Sequence, residues 1–245
     1  MVTAEPHAFQ AGDAEHDAKV TKHFCPVRLV DGMNPKMEVS AEDLLLITDV
    51  QNDFCAGGAL AVPNGDEVVP AINRLTGRFP HVGLTQDWHP RGHVSFASSH
   101  KGKKPLQTIA LPYGEQILWP DHCVAGTTGA EFHPGLDTTR TEVILRKGFH
   151  LGIDSYSAFN ENDHKTATGL AGYLRNRGLK RLFLAGLATD FCVLYSAVDA
   201  RREGFEVFVI EEAVRGIDIS NSVQKAWNAM AEAGVRRICE PDLPS

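Results

Sequence analysis

The 245-residue sequence has no apolar run that approaches the roughly 18 residues needed to cross a membrane, so no membrane span is indicated. Its N-terminus also lacks the basic and then apolar layout of a secretory signal peptide. Cysteine is scarce as well: the five residues are an odd number and include no CxxC pair. These absences favour a reduced, intracellular setting and predict a cytoplasmic protein.

Basic residues are too few and too scattered to form a binding stripe. There are 24 Lys and Arg against 31 Asp and Glu, which gives a formal net charge of −7. The segment from Lys101 to Lys104 is the one basic cluster, and a solvated loop explains it. We therefore expect neither nucleic acid nor a membrane surface as a partner. The expected partner is a small molecule, and the sequence leaves assembly into a homo-oligomer open.

The composition, with 43% hydrophobic and 22% charged residues, is that of a globular protein with a sizeable core. Residues 1–40 are polar and irregular, and we interpret them as an N-terminal extension. Residues 41–245 alternate apolar strand patterns with helical patterns, which predicts one α/β domain. Its predicted architecture is a mostly parallel six-stranded sheet with helices on both faces, a three-layer arrangement of the Rossmann type. The predicted strands lie near residues 44–47, 81–85, 142–146, 182–187, 206–210 and 235–239.

Reactive side chains follow four of these predicted strands. Asp49 follows the first strand, Asp87 and His89 the second, Lys147 the third and Cys192 the fourth. In parallel sheets the carboxyl ends of the strands share one edge, where ligands bind. A charged residue at one strand end is more often a helix cap, but a carboxylate, an amine and a thiol together indicate a catalytic site.

Cys192 is the candidate nucleophile. It lies between a buried strand and a helical pattern over residues 193–202, so we place it in the first turn of a helix. Unpaired N–H groups and the helix dipole at that position would lower the pKa of the thiol. A buried structural cysteine is the alternative that this residue alone leaves open.

Hydrolysis of an amide by a thiol requires a base and then an acid. Asp49 can serve as both if it lies within hydrogen-bonding distance of Cys192. Lys147 would keep the Asp49 carboxylate ionised. The backbone N–H groups of Ala188 and Cys192 would stabilise the tetrahedral oxyanion.

A second group of residues suggests a metal site. Asp87 and His89 are two residues apart in an extended segment and therefore point to the same side. His122, from a distant loop, would complete a site with open positions, and His93 is a further candidate. Mixed carboxylate and imidazole ligands predict one divalent ion; we expect zinc, with iron or manganese as alternatives.

Six motifs together resemble the nicotinamidase/pyrazinamidase family of the isochorismatase-like hydrolases, and they occur in that family's order from about residue 43 onwards. They are Asp49–Phe54 (DVQNDF), Gln86–Pro90 (QDWHP), Trp119–Val124 (WPDHCV), Lys147–Gly148, Asp154–Phe159 (DSYSAF) and Gly186–Val193 (GLATDFCV). The resemblance implies hydrolysis of nicotinamide, and of pyrazinamide, to the acid and ammonia. The reaction would proceed through a thioester on Cys192, with Asp49 and Lys147 completing a triad.

The resemblance also implies how the substrate is held. A divalent ion on Asp87, His89 and His122 would receive the pyridine nitrogen. The side chains of Phe54, Trp119 and Tyr156 would form the aromatic walls around the ring. A cis peptide bond between Leu187 and Ala188 would direct the Ala188 N–H into the oxyanion hole.

Two other functions remain to be weighed. A related cysteine hydrolase acting on another small amide or carbamoyl compound would generally not need the Asp87, His89 and His122 site. A non-catalytic binding protein on the same fold would be expected to have a damaged triad, whereas all three members are present. The sequence therefore favours a nicotinamidase.

Overall fold

The structure is a computed structural model that describes residues 37–243. The predicted N-terminal extension, residues 1–40, lies almost entirely outside these residues, so its boundary stays a prediction.

The main sheet contains six strands, all parallel, in the order β5, β2, β1, β6, β7, β8. This confirms the predicted sheet. The strand bounds are β1 Asp43–Thr48, β2 His81–Asp87, β5 Val143–Lys147, β6 Arg181–Leu187, β7 Glu206–Arg215 and β8 Arg236–Ile238. Two further strands, β3 Thr108–Leu111 and β4 Gly114–Ile117, form a separate antiparallel ribbon.

The strand order reverses in direction at the pair formed by β1 and β6. The chain adds β2 and β5 on one side of β1, and then crosses over to add β6, β7 and β8 on the other. Crossovers that leave in opposite directions open a crevice beyond the carboxyl ends of such a central pair. The residues after β1 and β6, which include Asp49 and Cys192, therefore face each other at this crevice.

Helices cover both faces of the sheet, as predicted. The helix α1, Val68–Thr76, packs in a core on one face with Leu45 and Ile47 of β1. On the other face Leu44 and Leu46 pack in a second core with residues of α2, α3 and α4. The bounds of these helices are α2 Leu170–Asn176, α3 Leu194–Arg202 and α4 Ser222–Glu232. Because β1 contributes alternate side chains to two cores, all six of its residues are buried.

The structure differs from the prediction in three elements. The region 94–140, predicted to be irregular, contains the β3–β4 ribbon, and β7 extends five residues beyond its predicted end at residue 210. Cys192 lies in a π-helical turn, Thr189–Val193, which precedes α3. The wider turn was not visible in the sequence because its apolar spacing also fits an α-helix.

The state of the cysteines bears on the predicted reduced setting. Cys55, Cys123 and Cys192 carry free thiols, whereas Cys239 is disulfide-bonded. The disulfide departs from the expectation of reduced cysteines throughout. Within residues 37–243, no helix has both the length and the apolar character that crossing a membrane requires.

Candidate active site

Asp49 lies directly after β1, where the backbone leaves the strand with a φ of 47°. Its carboxylate is fully buried and accepts a hydrogen bond of 2.6 Å from the Thr85 hydroxyl of the neighbouring strand β2. The Asp49 N–H in turn donates to that hydroxyl oxygen over 3.2 Å. These bonds fix the carboxylate at the crevice between β1 and β6.

Lys147, the last residue of β5, joins the predicted catalytic residues. Its buried Nζ lies 2.9 Å from Asp49 Oδ2 and 3.4 Å from Cys192 Sγ. Nζ also contacts Asp87 Oδ1 and donates to the carbonyl of Ser155 over 3.0 Å. The structure therefore brings together the triad predicted from the sequence, and it shows one ammonium group shared between the triad and the predicted metal ligands.

The electrostatic environment of the thiol differs from the prediction. Burial raises the pKa of Cys192 well above its ordinary value, while the charge of Lys147 acts in the opposite direction. Burial also raises the pKa of Asp49, again opposed by Lys147. The predicted lowering by the helix dipole is therefore wrong, because loss of solvent around the sulfur has the larger effect. A protonated thiol needs a neighbouring base, and an oxygen of Asp49 lies within 4.8 Å of the sulfur.

The predicted oxyanion hole lies in the turn after β6. The peptide bond between Leu187 and Ala188 is cis, as the resemblance implied. Gly186, just before it, has a φ of 110°, and a Cβ there would lie 2.0 Å from the carbonyl oxygen of Thr48. Only glycine permits this close approach of β6 to β1. Ala188 and Cys192 both line the pocket described below.

Asp87, His89 and His122 form a buried group whose ligand atoms all lie within 4.8 Å of one another. Oδ2 of Asp87 is 3.5 Å from His89 Nε2 and 4.0 Å from His122 Nε2. Two imidazoles and a carboxylate at this spacing are suited to one divalent ion.

Hydrogen bonds of the two imidazoles support this interpretation. His89 Nδ1 lies 2.8 Å from the carbonyl oxygen of Gly148, and His122 Nδ1 lies 2.8 Å from that of Pro120. A carbonyl can only accept, so Nδ1 of each ring carries a proton, and Nε2 is the ring atom that remains to bind an ion. Burial lowers the pKa of His122 to about 4, which keeps this ligand neutral. A Cβ on Gly148 would lie 2.4 Å from the His89 ring, so this residue must remain glycine.

His93 is not part of this group. Its Nδ1 lies 2.7 Å from the Ser95 hydroxyl and its Nε2 lies 3.2 Å from the carbonyl oxygen of Ile153. The ring packs against His89 with 4.3 Å between ring centroids. His93 also belongs to a second candidate group with His89 and Asp154. From this position His93 can hold the His89 ring in its orientation.

A pocket is lined by Cys192 of the triad and by the three candidate metal ligands. All three predicted aromatic residues line it, together with residues that the sequence did not single out. The lining residues are Phe54, Leu60, Asp87, His89, Trp119, His122, Asp154, Tyr156, Ala188, Phe191, Cys192 and Ile217. An apolar pocket with a few convergent polar groups is typical of a small-molecule site.

Four of the lining residues were missed by the sequence analysis. Asp154 and Phe191 lie inside motifs that were quoted, within two residues of the assigned Tyr156 and Cys192, so their positions carried a usable signal. Leu60 and Ile217 lie outside every motif, and a single apolar residue in a loop has no feature that distinguishes it from a core residue.

Comparison with known proteins gives concordant results. The Isochorismatase domain model matches residues 43–240. A nicotinamidase of Acinetobacter baylyi is 51% identical over 208 residues, which cover 85% of this chain and 97% of the relative. Among solved structures, an Acinetobacter baumanii nicotinamidase and pyrazinamidase is 52% identical, with a TM-score of 0.82 and coverage of 83% and 98%.

A third comparison is with a protein whose structure contains zinc. The pyrazinamidase of Pyrococcus horikoshii, solved in complex with zinc, is 34% identical to the chain, with a TM-score of 0.66. The match covers 81% of this chain and 99% of that one.

Proposed function

The chain belongs to the isochorismatase family, and we propose that within it the protein is a nicotinamidase that hydrolyses nicotinamide, and also pyrazinamide, to the acid and ammonia. The observation that carries this proposal is the position of Lys147 Nζ, within 2.9 Å of Asp49 and 3.4 Å of the Cys192 sulfur, beside the pocket. The similarity to nicotinamidases over most of the chain supports the choice of substrate.

The proposed reaction begins with transfer of the Cys192 thiol proton to Asp49. The thiolate attacks the carboxamide carbon, and the N–H groups of Ala188 and Cys192 stabilise the oxyanion. Asp49 then gives the proton to the departing nitrogen, the C–N bond breaks and ammonia leaves a thioester on Cys192. Asp49 takes a proton from water as the water attacks this thioester, and the acid is released with the thiol restored. Lys147 stays charged and orients the carboxylate and the sulfur.

Asp87, His89 and His122 would hold a divalent metal ion, for which we propose zinc. When bound, such an ion supplies a Lewis acid with an open position for the pyridine nitrogen. The chain's own residues then fix the ring: Phe54, Trp119 and Tyr156 give it apolar and aromatic walls.

The proposed activity is tested by coupling ammonia release to an indicator reaction with nicotinamide, pyrazinamide and an aliphatic amide. We expect both ring amides to be hydrolysed much faster than the aliphatic amide, because only they fill the aromatic pocket. A preference for an aliphatic amide or a carbamoyl compound would instead support the alternative hydrolase function.

Metal removal is expected to raise the KM for nicotinamide more than it lowers kcat. The reason is that the ion would hold the ring, whereas Cys192 performs the acyl chemistry. The measurement compares steady-state kinetics before and after chelation, with the metal content determined by mass spectrometry and with zinc added back.

A pair of histidine variants provides the matched control. His122→Ala should lose the bound ion, whereas His81→Ala should keep it, since His81 pairs with Glu142 at the surface. Unchanged kinetics in a preparation shown to be free of metal would contradict the proposed role of the ion.

The remaining expectations are proposals about setting. We propose a cytoplasmic enzyme that serves recovery of pyridine nucleotides. The free thiols of Cys55, Cys123 and Cys192 favour this location, whereas a disulfide such as that of Cys239 is more common outside the cytoplasm. Assembly into a homo-oligomer is compatible with the sequence and stays a prediction.

A further inference from the structure

A buried glutamine on the β3–β4 ribbon is connected to the aromatic pocket. Of the eight ribbon residues, all of them described, Gln116 alone is buried, with 1% of its surface exposed. A ribbon that buries one side chain usually buries an apolar one, because a buried amide must find hydrogen-bond partners. The partners of Gln116 therefore indicate what the ribbon is attached to.

The amide nitrogen of Gln116 points at two residues of the pocket. Nε2 donates to Asp154 Oδ2 over 2.7 Å and contacts the Tyr156 hydroxyl at 3.2 Å. A third contact, at 2.7 Å, is with the carbonyl oxygen of Ile117 in its own strand. Asp154 and Tyr156 line the pocket, whereas Gln116 is not among its lining residues.

The Tyr156 hydroxyl receives a second donor from the pocket wall. Trp119 Nε1 donates to it over 3.1 Å. The free end of the Tyr156 side chain is therefore in contact with both the Trp119 N–H and the Gln116 amide nitrogen. The backbone of Tyr156 is also fixed, since its N–H donates to Asn162 Oδ1 over 3.0 Å.

The amide oxygen of Gln116 completes the connection. It accepts a hydrogen bond from the Tyr113 hydroxyl over 3.0 Å and from Asn162 Nδ2 over 3.4 Å. Both the oxygen and the nitrogen of the amide therefore have hydrogen-bond partners. These partners also set the orientation of the amide, because the carboxylate of Asp154 can only accept and the nitrogen must face it.

We propose that Gln116 is a positioning residue for the substrate ring. It holds Asp154 and Tyr156 in the geometry in which Tyr156 and Trp119 form one wall of the pocket, and it thereby sets the affinity for ring amides. Gln116 has no contact with Asp49, Lys147 or Cys192 among its hydrogen bonds within residues 37–243, so the acyl chemistry does not depend on it directly. The inference rests on the proposed nicotinamidase function.

Gln116→Leu removes the amide while keeping a side chain of similar size. We expect the KM for nicotinamide to rise about 10-fold, because Asp154 and Tyr156 would no longer be held in the geometry that receives the ring, with kcat changed by less than about 3-fold. Gln107→Leu is the matched control: Gln107 lies beside the same ribbon, is exposed and accepts a hydrogen bond from the Lys104 N–H. Its KM should equal that of the wild type.

Two measurements separate positioning from loss of structure. Nicotinamide binding, measured by calorimetry in a Cys192→Ala background, should weaken by the same factor as the KM rises. The metal content per chain should stay unchanged. Gln116→Met serves as the second variant if the leucine variant fails to fold.

A double-mutant cycle with Tyr156→Phe tests whether the effect of Gln116 on the KM passes through the Tyr156 hydroxyl. Because Gln116 acts in part through the Tyr156 hydroxyl, the combined variant should raise the KM by less than the product of the two single effects. Additive effects, a KM equal to that of the Gln107 control, or a fall in kcat as large as the rise in KM would overturn the inference. Failure of the proposed function itself is distinguishable, since the wild type would then not hydrolyse nicotinamide.

Discussion

Cys192→Ala is expected to lower kcat for nicotinamide by about 10⁴-fold or more, the scale seen when a catalytic nucleophile is removed. Without the sulfur no thioester can form, and neither Asp49 nor Lys147 can replace it as an acyl carrier. Nicotinamide should still bind, because the aromatic walls and the candidate metal ligands are unchanged. The measurement is ammonia release, with binding followed separately by calorimetry.

Cys55→Ala is the matched control for this variant. Cys55 is also a buried free thiol, but it lies outside the pocket lining. Burial and the nearby Asp66 raise the pKa of Cys55 to about 12. This control should keep near-normal turnover. Normal turnover in Cys192→Ala, or loss of turnover in Cys55→Ala without unfolding, would show that the nucleophile has been misassigned.

Lys147→Met is expected to impair both activity and stability. Lys147 is fully buried and contacts the carboxylates of Asp49 and Asp87, and without it Asp49 would be a buried carboxylate lacking its counter-charge. Removing one member of a buried ion pair typically costs about 3–5 kcal/mol of unfolding free energy. The carboxylate of Asp49 would also become harder to ionise. We therefore expect turnover to fall by about 10³-fold, as for other residues that act as part of a catalytic unit.

Lys180→Met is the matched control. It removes an exposed lysine, so a comparison with Lys147→Met shows how much of the effect is due to the burial of Lys147. Lys180 pairs with Glu42 at the surface, where 67% of its side chain is exposed. Such a pair contributes less than about 1 kcal/mol, so this variant should match the wild type in urea unfolding and in turnover. If Lys147→Met unfolded at the same urea concentration as the control, the ion pairs of Lys147 would not be stabilising the fold.

Much of the fold could be predicted from the sequence because parallel strands have a clear local signature. The run Leu44–Ile47 is continuously apolar, since β1 is covered on both faces. Each predicted strand was found, and Asp49, Lys147 and Cys192 followed the expected strand ends. The pattern over residues 94–140 was less informative, because the strands of the β3–β4 ribbon are only four residues long and half of their residues are exposed.

The sequence by itself determined which groups lie at the strand ends. The thiol, the carboxylate, the amine and the Asp-x-His pair are local features that can be recognised without knowledge of packing. Only the tertiary structure decided their electrostatics and their connections. Burial raises the pKa of Cys192 against the expected effect of the helix, and Lys147 contacts Asp87 as well as Asp49. The physical reason is that desolvation and charge pairing depend on distances between residues far apart in the chain, which periodicity and motif spacing do not encode.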